Sequence, residues 1–443
     1  MGAFPADPVV TRCIELQRWL EEVCARRRVR EAWVGFVDSG GSRRAVVSPQ
    51  GSPGTPFDVE VGCLAKVLTA MLVSKLVEAR KLGFNDPVTE HLEAQNGAAR
   101  RALARTSIVH LLNHTHGLDG SGIGNAPLSP DGYLDTHVLC NELCGAGCVA
   151  EPGDLYNYGS AGVYVAAALL EKVHGRRFTE ILIDEVLNPL GITLRRRNGF
   201  GGGERASAVI CPAWGNRMLL SFDELMALLR HYLALDPRPA SRTVGPEVPC
   251  AAMFQCVASL PGWSPIEKGA AIGWKYYGVG WFGHNANFPG GTVLIRLHSG
   301  QRRAIVVAVK ATNVDAAFPI LDGVFGDVLP SLVTLNLPTL LTTEQWQSVD
   351  SSRFTGIYAN RSQTVSIESR QGMLHVILQQ APRGASDAAP CISKRLRPAA
   401  ESIFFPEPGQ LETLPFIQFV RPEGAGQFQY IWNGRHVWRR RPG

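Results

Sequence analysis

The run VGCLAKVLTAMLV, residues 61–73, constrains this chain more than any other stretch. It reads as an apolar helix that the rest of the fold must cover, yet it carries Cys63 and, three positions on, Lys66. A buried ammonium costs several kcal/mol unless something nearby uses it. Residues three apart share a helix face, with Cβ atoms about 5–6 Å apart. Cys63 follows Gly62 and so falls near the helix N-terminus, where the dipole and Lys66 both favour a thiolate. The structural alternative is a packed thiol with a lysine reaching outward along its stem.

The chain has 443 residues, 45% of them hydrophobic, which predicts two or three domains with ample core. Its 44 Lys and Arg against 39 Asp and Glu leave a formal +5, too dilute for a nucleic-acid footprint. The N-terminal segment lacks a basic start, apolar core and small-residue cleavage site, and reads as an amphipathic helix over 9–28. No stretch approaches the roughly 18 unbroken apolar residues of a spanning helix. The expectation is a soluble cytoplasmic protein without membrane partners. Ten cysteines in such a chain are not a disulfide scaffold. Cys140, Cys144 and Cys148 recur every fourth residue, but no second Cys/His pair follows at zinc spacing, so no metal is expected there.

Two strands, EAWVGFVD and RRAVVSP, are joined by the turn SGGS. The helix from Cys63 is expected to run to a Gly83 C-cap. TSIVHLLNHTHGL is a short helix opened by a Thr/Ser cap and followed by loop to about residue 132. Further helices are expected at YGSAGVYVAAALLEKVHG, ended by Gly175, and at SFDELMALLRHYLAL, with Ser221 and Glu224 placed as a capping box. Then GVGWFGH, GTVLIRL and RAIVVAVKAT read as strands. Early strands, a helical middle and late strands predict one α+β domain, residues 1–335, whose chain ends share a sheet. Residues 336–350 read as a linker. Residues 351–443 read as a small all-β domain of barrel size, with Asn433-Gly434 as a hairpin turn.

The stretch VEVGCLAKVLTAMLVSKLVEARKLGFNDPVTEHL, followed by TSIVHLLNHTHGLDG, resembles the nucleophile region of class C serine β-lactamases and their penicillin-binding-protein and esterase relatives. In that family the pattern is Ser-x-x-Lys, and here the serine position holds Cys63. EPGDLYNYGSAGVYVAAALLEKVHG resembles the Tyr-x-Asn region. It places Tyr158 at the tyrosine, with Tyr156 as a competing register, and Ser160 at the asparagine. GWFGHNANFPGG resembles the Lys/His-x-Gly strand, with His284 first, Asn285 second and Ala286 in place of glycine. The tail, through FTGIY and GRHVWRR, resembles the lipocalin-like domain appended to some members.

This resemblance implies a β-lactamase/transpeptidase-like domain followed by a lipocalin-like β domain. It also implies an acyl-transfer site of Cys63, Lys66, Tyr158 and His284, with Ser160, Asn285, Ala286 and Asn287 against the substrate. The backbone N–H groups of Cys63 and Asn287 would hold the oxyanion, and the division of base duty between Lys66 and Tyr158 stays open. No cofactor is required. Cysteine makes the intermediate a thioester, which tilts its fate toward amines over water. The expected activity is therefore a transacylase joining a small-molecule acyl donor to an amine or alcohol acceptor, similar to a capuramycin-type enzyme of antibiotic biosynthesis. A hydrolase and an inactive binding homologue are the alternatives.

Overall fold

The computed structural model describes helical residues between 17 and 26 and residues 29–47, 58–93, 97–120, 135–196, 218–233, 251–310, 338–380, 391–407, 416–423 and 426–442, with single positions or pairs inside these stretches excepted. Most of the loop expected up to residue 132 and the Pro289-Gly290 end of the third motif lie outside the described residues.

The two strands expected after the N-terminal helix are β1 (Glu31–Asp38) and β2 (Gly41–Val47). β1 is buried over most of its length and pairs on its other side with a strand from far along the chain, β11 (Arg303–Lys310). Their register sets Glu31 opposite Lys310, whose Nζ lies 2.7 Å from the Glu31 carboxylate. β10 (Gly291–His298), β9 (Trp281–Phe288), β8 (Lys275–Gly278), β7 (Gly269–Ala270) and β6 (Ala258–Ser259) extend the sheet in the order β2-β1-β11-β10-β9-β8-β7-β6. Early and late strands therefore share one antiparallel sheet, as the pattern of the sequence required.

The helix Ala65–Glu78 packs on one face of this sheet in the large hydrophobic core, together with the helix Ala161–His174. It stops at Ala79, ahead of the Gly83 cap expected from the sequence; Arg80 then takes a left-handed φ of 58°. The ending is a Schellman turn centred on Arg80: the Arg80 N–H donates to the Val77 carbonyl at 3.0 Å and the Lys81 N–H to the Leu76 carbonyl at 2.9 Å. Gly83 instead turns tightly against Asp86, whose carboxylate accepts the Gly83 N–H at 2.7 Å. The other expected caps are present. Gly175 is left-handed at φ 65°, and Ser221 and Glu224 form a reciprocal capping box.

A minor sheet of β3 (Asp58–Glu60), β4 (Arg195–Arg196) and β5 (Met218–Ser221), in the order β3-β5-β4, leads straight into the turn that carries Cys63. Val61 N–H donates to Met218 at 2.9 Å. The triad Cys140, Cys144 and Cys148 lies on and just after the helix Thr136–Gly145, with the first two sulfurs 4.0 Å apart in the core.

The C-terminal part is a closed antiparallel barrel of eight strands, β12 (Gly356–Ala359), β13 (Gln363–Arg370), β14 (Met373–Gln380), β15 (Cys391–Ala400), β16 (Ile403–Pro406), β17 (Ile417–Glu423), β18 (Gln427–Trp432) and β19 (Val437–Arg440). Gly434 at φ 90° turns the hairpin between its last two strands. Within residues 336–350, Thr343–Gln347 is helical, and Trp346 is buried in the barrel core against Phe354 and Phe404. Closure leaves no free edge, and the barrel packs on the rest of the chain through Phe416, Trp432 and Val437, which share a cluster with Tyr156 and Tyr158.

Candidate active site

Cys63 sits in a single 3-10 turn, Gly62–Leu64, that opens the Ala65–Glu78 helix. Gly62 makes the turn possible: its φ is +49°, and a Cβ there would stand 3.3 Å from the Ala286 methyl and 3.4 Å from the Asn287 carbonyl. The nucleophile turn thus lies directly against β9. Lys66, one turn on, is 2% exposed. Its stem does not reach outward to solvent, so of the two readings of the Cys63/Lys66 pair the enclosed ammonium is the one observed.

Tyr158 comes from the loop before the helix Ala161–His174. Its hydroxyl is within hydrogen-bonding reach of the Cys63 thiol, and burial, the nearby sulfur and this contact hold the phenol well above its ordinary pKa, in its protonated form. Lys66 Nζ stands 5.2 Å from the centre of the Tyr158 ring. Tyr156, the competing register, is also buried, but it meets the edge of His114 at 6.0 Å and its hydroxyl has no hydrogen-bond partner among the described residues.

His284 lies on β9 with its ring centre 6.0 Å from that of Tyr158. Its Nδ1–H donates to the Asn285 carbonyl at 2.9 Å, which leaves Nε2 as a bare lone pair, buried and without a partner among the described residues. Burial, then Lys275 and Lys66, hold the imidazole well below its usual pKa, so it is neutral at physiological pH.

Strand alternation sets His284 and Ala286 on one face of β9 and Asn285 and Asn287 on the other. The Asn285 side chain accepts from Arg296 at 2.8 Å, and the Asn287 side chain accepts from the Thr292 hydroxyl at 2.6 Å. Ala286 is fully buried with its methyl toward Gly62. The Asn287 carbonyl comes up beside Gly62 together with Ala286. Ser160 is buried at the N-terminus of the helix Ala161–His174, where it makes no side-chain cap.

Three further side chains, none with a role expected from the sequence, stand around Tyr158. Lys275 is 4% exposed, ion-paired to Glu267, and places Nζ 5.1 Å from the Tyr158 ring centre. Arg435, on the barrel hairpin, lies 5.7 Å from the same ring, and its carbonyl accepts the Tyr158 N–H at 2.7 Å. The His114 ring is 4.6 Å from Tyr158, and its backbone takes a left-handed φ of 62°. His114 stands inside LLNHTHGL and was open to discovery there. Lys275 in KYYG and Arg435 after Asn433-Gly434 read as ordinary surface cations, and no local pattern marks them.

Sequence comparison matches the Beta-lactamase family over residues 23–195. Penicillin-binding protein 4 of Amycolatopsis lactamdurans is 25% identical over 322 residues, 67% of this chain and 83% of that protein. Among solved structures, SurE with D-Leu superposes with a TM-score of 0.71 at 22% identity, covering 97% of this chain and 99% of SurE. The octameric penicillin-binding protein homologue from Pyrococcus abyssi superposes with a TM-score of 0.56 at 17% identity over 96% of this chain and 99% of that one. The fold is β-lactamase/transpeptidase-like with a C-terminal eight-stranded, lipocalin-like barrel. Family match, curated relative and fold together support the β-lactamase and penicillin-binding-protein-like superfamily, whose members carry out acyl transfer or hydrolysis.

Proposed function

We propose that this protein is a Cys-dependent acyltransferase working through an acyl-Cys63 intermediate. The observation that carries the reading is Tyr158, which lies against the half-buried Cys63 thiol and holds its ring 5.2 Å from Lys66 Nζ. In the first half-reaction Sγ attacks the carbonyl of an ester or thioester. The S–C bond forms, the bond to the leaving oxygen or sulfur breaks, and the thiol proton passes through Tyr158 or Lys66 to the leaving group. In the second, an amine or alcohol attacks the thioester carbonyl; the N–C or O–C bond forms, the S–C bond breaks, and the acceptor's proton returns to sulfur. Backbone N–H groups of Cys63 and Asn287 carry the transient oxyanion charge, and neutral His284 offers Nε2 to Tyr158 or to the substrate.

Sulfur in place of the family's oxygen supports transfer over hydrolysis, because a thioester carbonyl favours amine attack relative to water. We read the reaction as ATP-independent amide formation of the kind made by a capuramycin-type transacylase, as a step of natural-product biosynthesis. SurE has been crystallised with D-Leu, so D-aminoacyl thioesters are the first donors to try beside their L forms. Incubation with such donors, followed by intact mass, should show one acyl adduct on Cys63 that Cys63→Ala abolishes and an added amine clears. An adduct on another cysteine refutes the assignment. If water takes the acyl group from every donor in the presence of millimolar amine, the protein is the related hydrolase.

A further inference from the structure

A cavity of about 770 Å³ opens where the barrel meets the sheet, between the end of the short helix Ile108–Leu112, the edge strand β6 and strand β17. Its volume is that of a small-molecule site, and none of Cys63, Lys66, Tyr158 and His284 lines it. Asn113 does, and is 3% exposed. Its Oδ1 is committed, accepting the Thr115 N–H at 3.1 Å and the Thr115 hydroxyl at 2.7 Å. That leaves the Nδ2 donors of a buried amide toward the cavity, with no partner among the described residues. His110, one turn earlier, accepts the Ser107 N–H on Nδ1 at 3.3 Å, so its proton sits on Nε2, and burial favours this neutral form. Gly153, also in the wall, keeps that N–H uncovered: a Cβ there would come within 3.2 Å of Nε2. On the barrel side stands Arg421, whose φ of 57° is left-handed where the β17–β18 register steps from Val420–Tyr430 to Pro422–Phe428. Such strained residues cluster at ligand clamps. Its guanidinium holds the Asp154 carboxylate at 2.5 Å, but with the two side chains 55% and 33% exposed the pair is weak, and a ligand carboxylate can share the guanidinium.

We propose that this cavity is a second binding site, for the carboxyl end of an apolar N-acyl amino acid or peptide. The ligand's amide carbonyl accepts from Asn113 Nδ2 and His110 Nε2–H, its carboxylate pairs with Arg421, and its side chain lies along Val257, Leu260 and Pro261. Charge sorts the two polar ends: neutral donors suit a neutral carbonyl, while the guanidinium fork matches a carboxylate. Val257, 40% exposed, supplies the apolar strip with Leu260 and Pro261. A free amino acid fits less well, because it has no amide carbonyl for the two neutral donors. Nothing in this site requires the chemistry of Cys63, so it stands or falls apart from the acyl-transfer reading.

The experiment is 13C-edited NMR of the histidine rings in the full chain, with His110 assigned through His110→Gln. N-acetyl-leucine and the tripeptide alanyl-alanyl-leucine should each shift the His110 signals saturably, and the tighter of the two names the source of the natural ligand. N-acetyl-leucinamide, which lacks the carboxylate, and free leucine should bind at least about tenfold more weakly. Asn113→Asp keeps an oxygen for both Thr115 bonds but turns the cavity donor into an anionic acceptor, and should weaken N-acetyl-leucine by about tenfold or more. Arg421→Gly removes the guanidinium at a φ that glycine adopts freely, so the melting temperature should hold while affinity falls by a similar factor. Affinity unchanged in either variant overturns the proposal, as does the absence of a saturable His110 shift up to about 20 mM probe. Alkylating Cys63 with iodoacetamide should leave the shift intact; if alkylation abolishes it, the probe sits at Cys63 and there is no second site. Failure of Cys63 to take an acyl group would sink the proposed function and leave each of these outcomes as informative as before.

Discussion

The backbone N–H of Tyr158 donates to the carbonyl of Arg435 at 2.7 Å, so the phenol of the site and the tip of a barrel hairpin are tied by a single bond. Beside it the Asn157 side chain accepts the Val437 N–H at 3.2 Å. The barrel is thus one wall of the site, and the loop that aims Tyr158 takes its shape from both parts of the chain. Asn157→Ala should leave a buried N–H unsatisfied, at about 1–3 kcal/mol. The expected signature is a lower melting temperature together with slower Cys63 acylation; acylation unchanged despite destabilisation would detach the barrel from Tyr158 positioning.

Lys66→Met replaces a buried ammonium with a chain of similar length. Removal of a proton-transfer group typically costs about 10²–10⁴-fold. Single-turnover acylation, followed by intact mass, should slow by that order while the melting temperature holds or rises, because the desolvated charge is gone. A loss below tenfold would make Tyr158 the principal proton carrier.

Cys63→Ser exchanges the thioester intermediate for an oxygen ester. With a donor that still acylates, the fraction of product formed with water should rise relative to amine. Equal partition in the two proteins would show that acceptor choice is set by the pocket and not by sulfur.

Gly62→Ala forces an L-residue to φ +49° and sets its methyl 3.3 Å from Ala286. The conformational cost is about 1–2 kcal/mol, with a shift of the Cys63 turn to relieve the contact. Both the melting temperature and the rate of Cys63 alkylation by iodoacetamide should fall.

The buried histidines predict a pH dependence of stability with a definite sign. His284 and His114 are held well below their ordinary pKa and His116 down to about 3, in each case by burial first. The unfolded chain therefore binds protons below pH 6.5 that the native chain refuses. Stability is full above that pH and is lost as pH falls, by about 1.4 kcal/mol per pH unit for each such group. Chemical denaturation at pH about 7 and 5 should show the drop, and His116→Gln should flatten the slope if its folded environment tolerates the amide.

Much of the architecture was legible from local patterns. Short β-rich runs bounded by Gly turns marked β1, β9, β10 and β11, period-3.6 runs marked the long helices, and Ser221, Glu224 and Gly175 marked their ends, because these signals depend on residues within a turn or two of one another. Gly83 misled because the left-handed turn that ends the helix from Ala65 falls on Arg80, a residue type that does not announce such a backbone. The order of Cys63, Lys66, Tyr158 and His284 along the chain could be read as well, since each motif is compact.

What spacing alone settled, then, was the pairing of Cys63 with Lys66: a thiol and an amine three positions apart on one helix must share a face, whatever surrounds them. What had to await the folded chain was their electrical environment. Lys275 and Arg435 carry no local signal, and they reach Tyr158 because strand β8 and a barrel hairpin come together around it. Coulombic and desolvation effects depend on distance in space and on exclusion of water, and neither quantity is written in the order of residues.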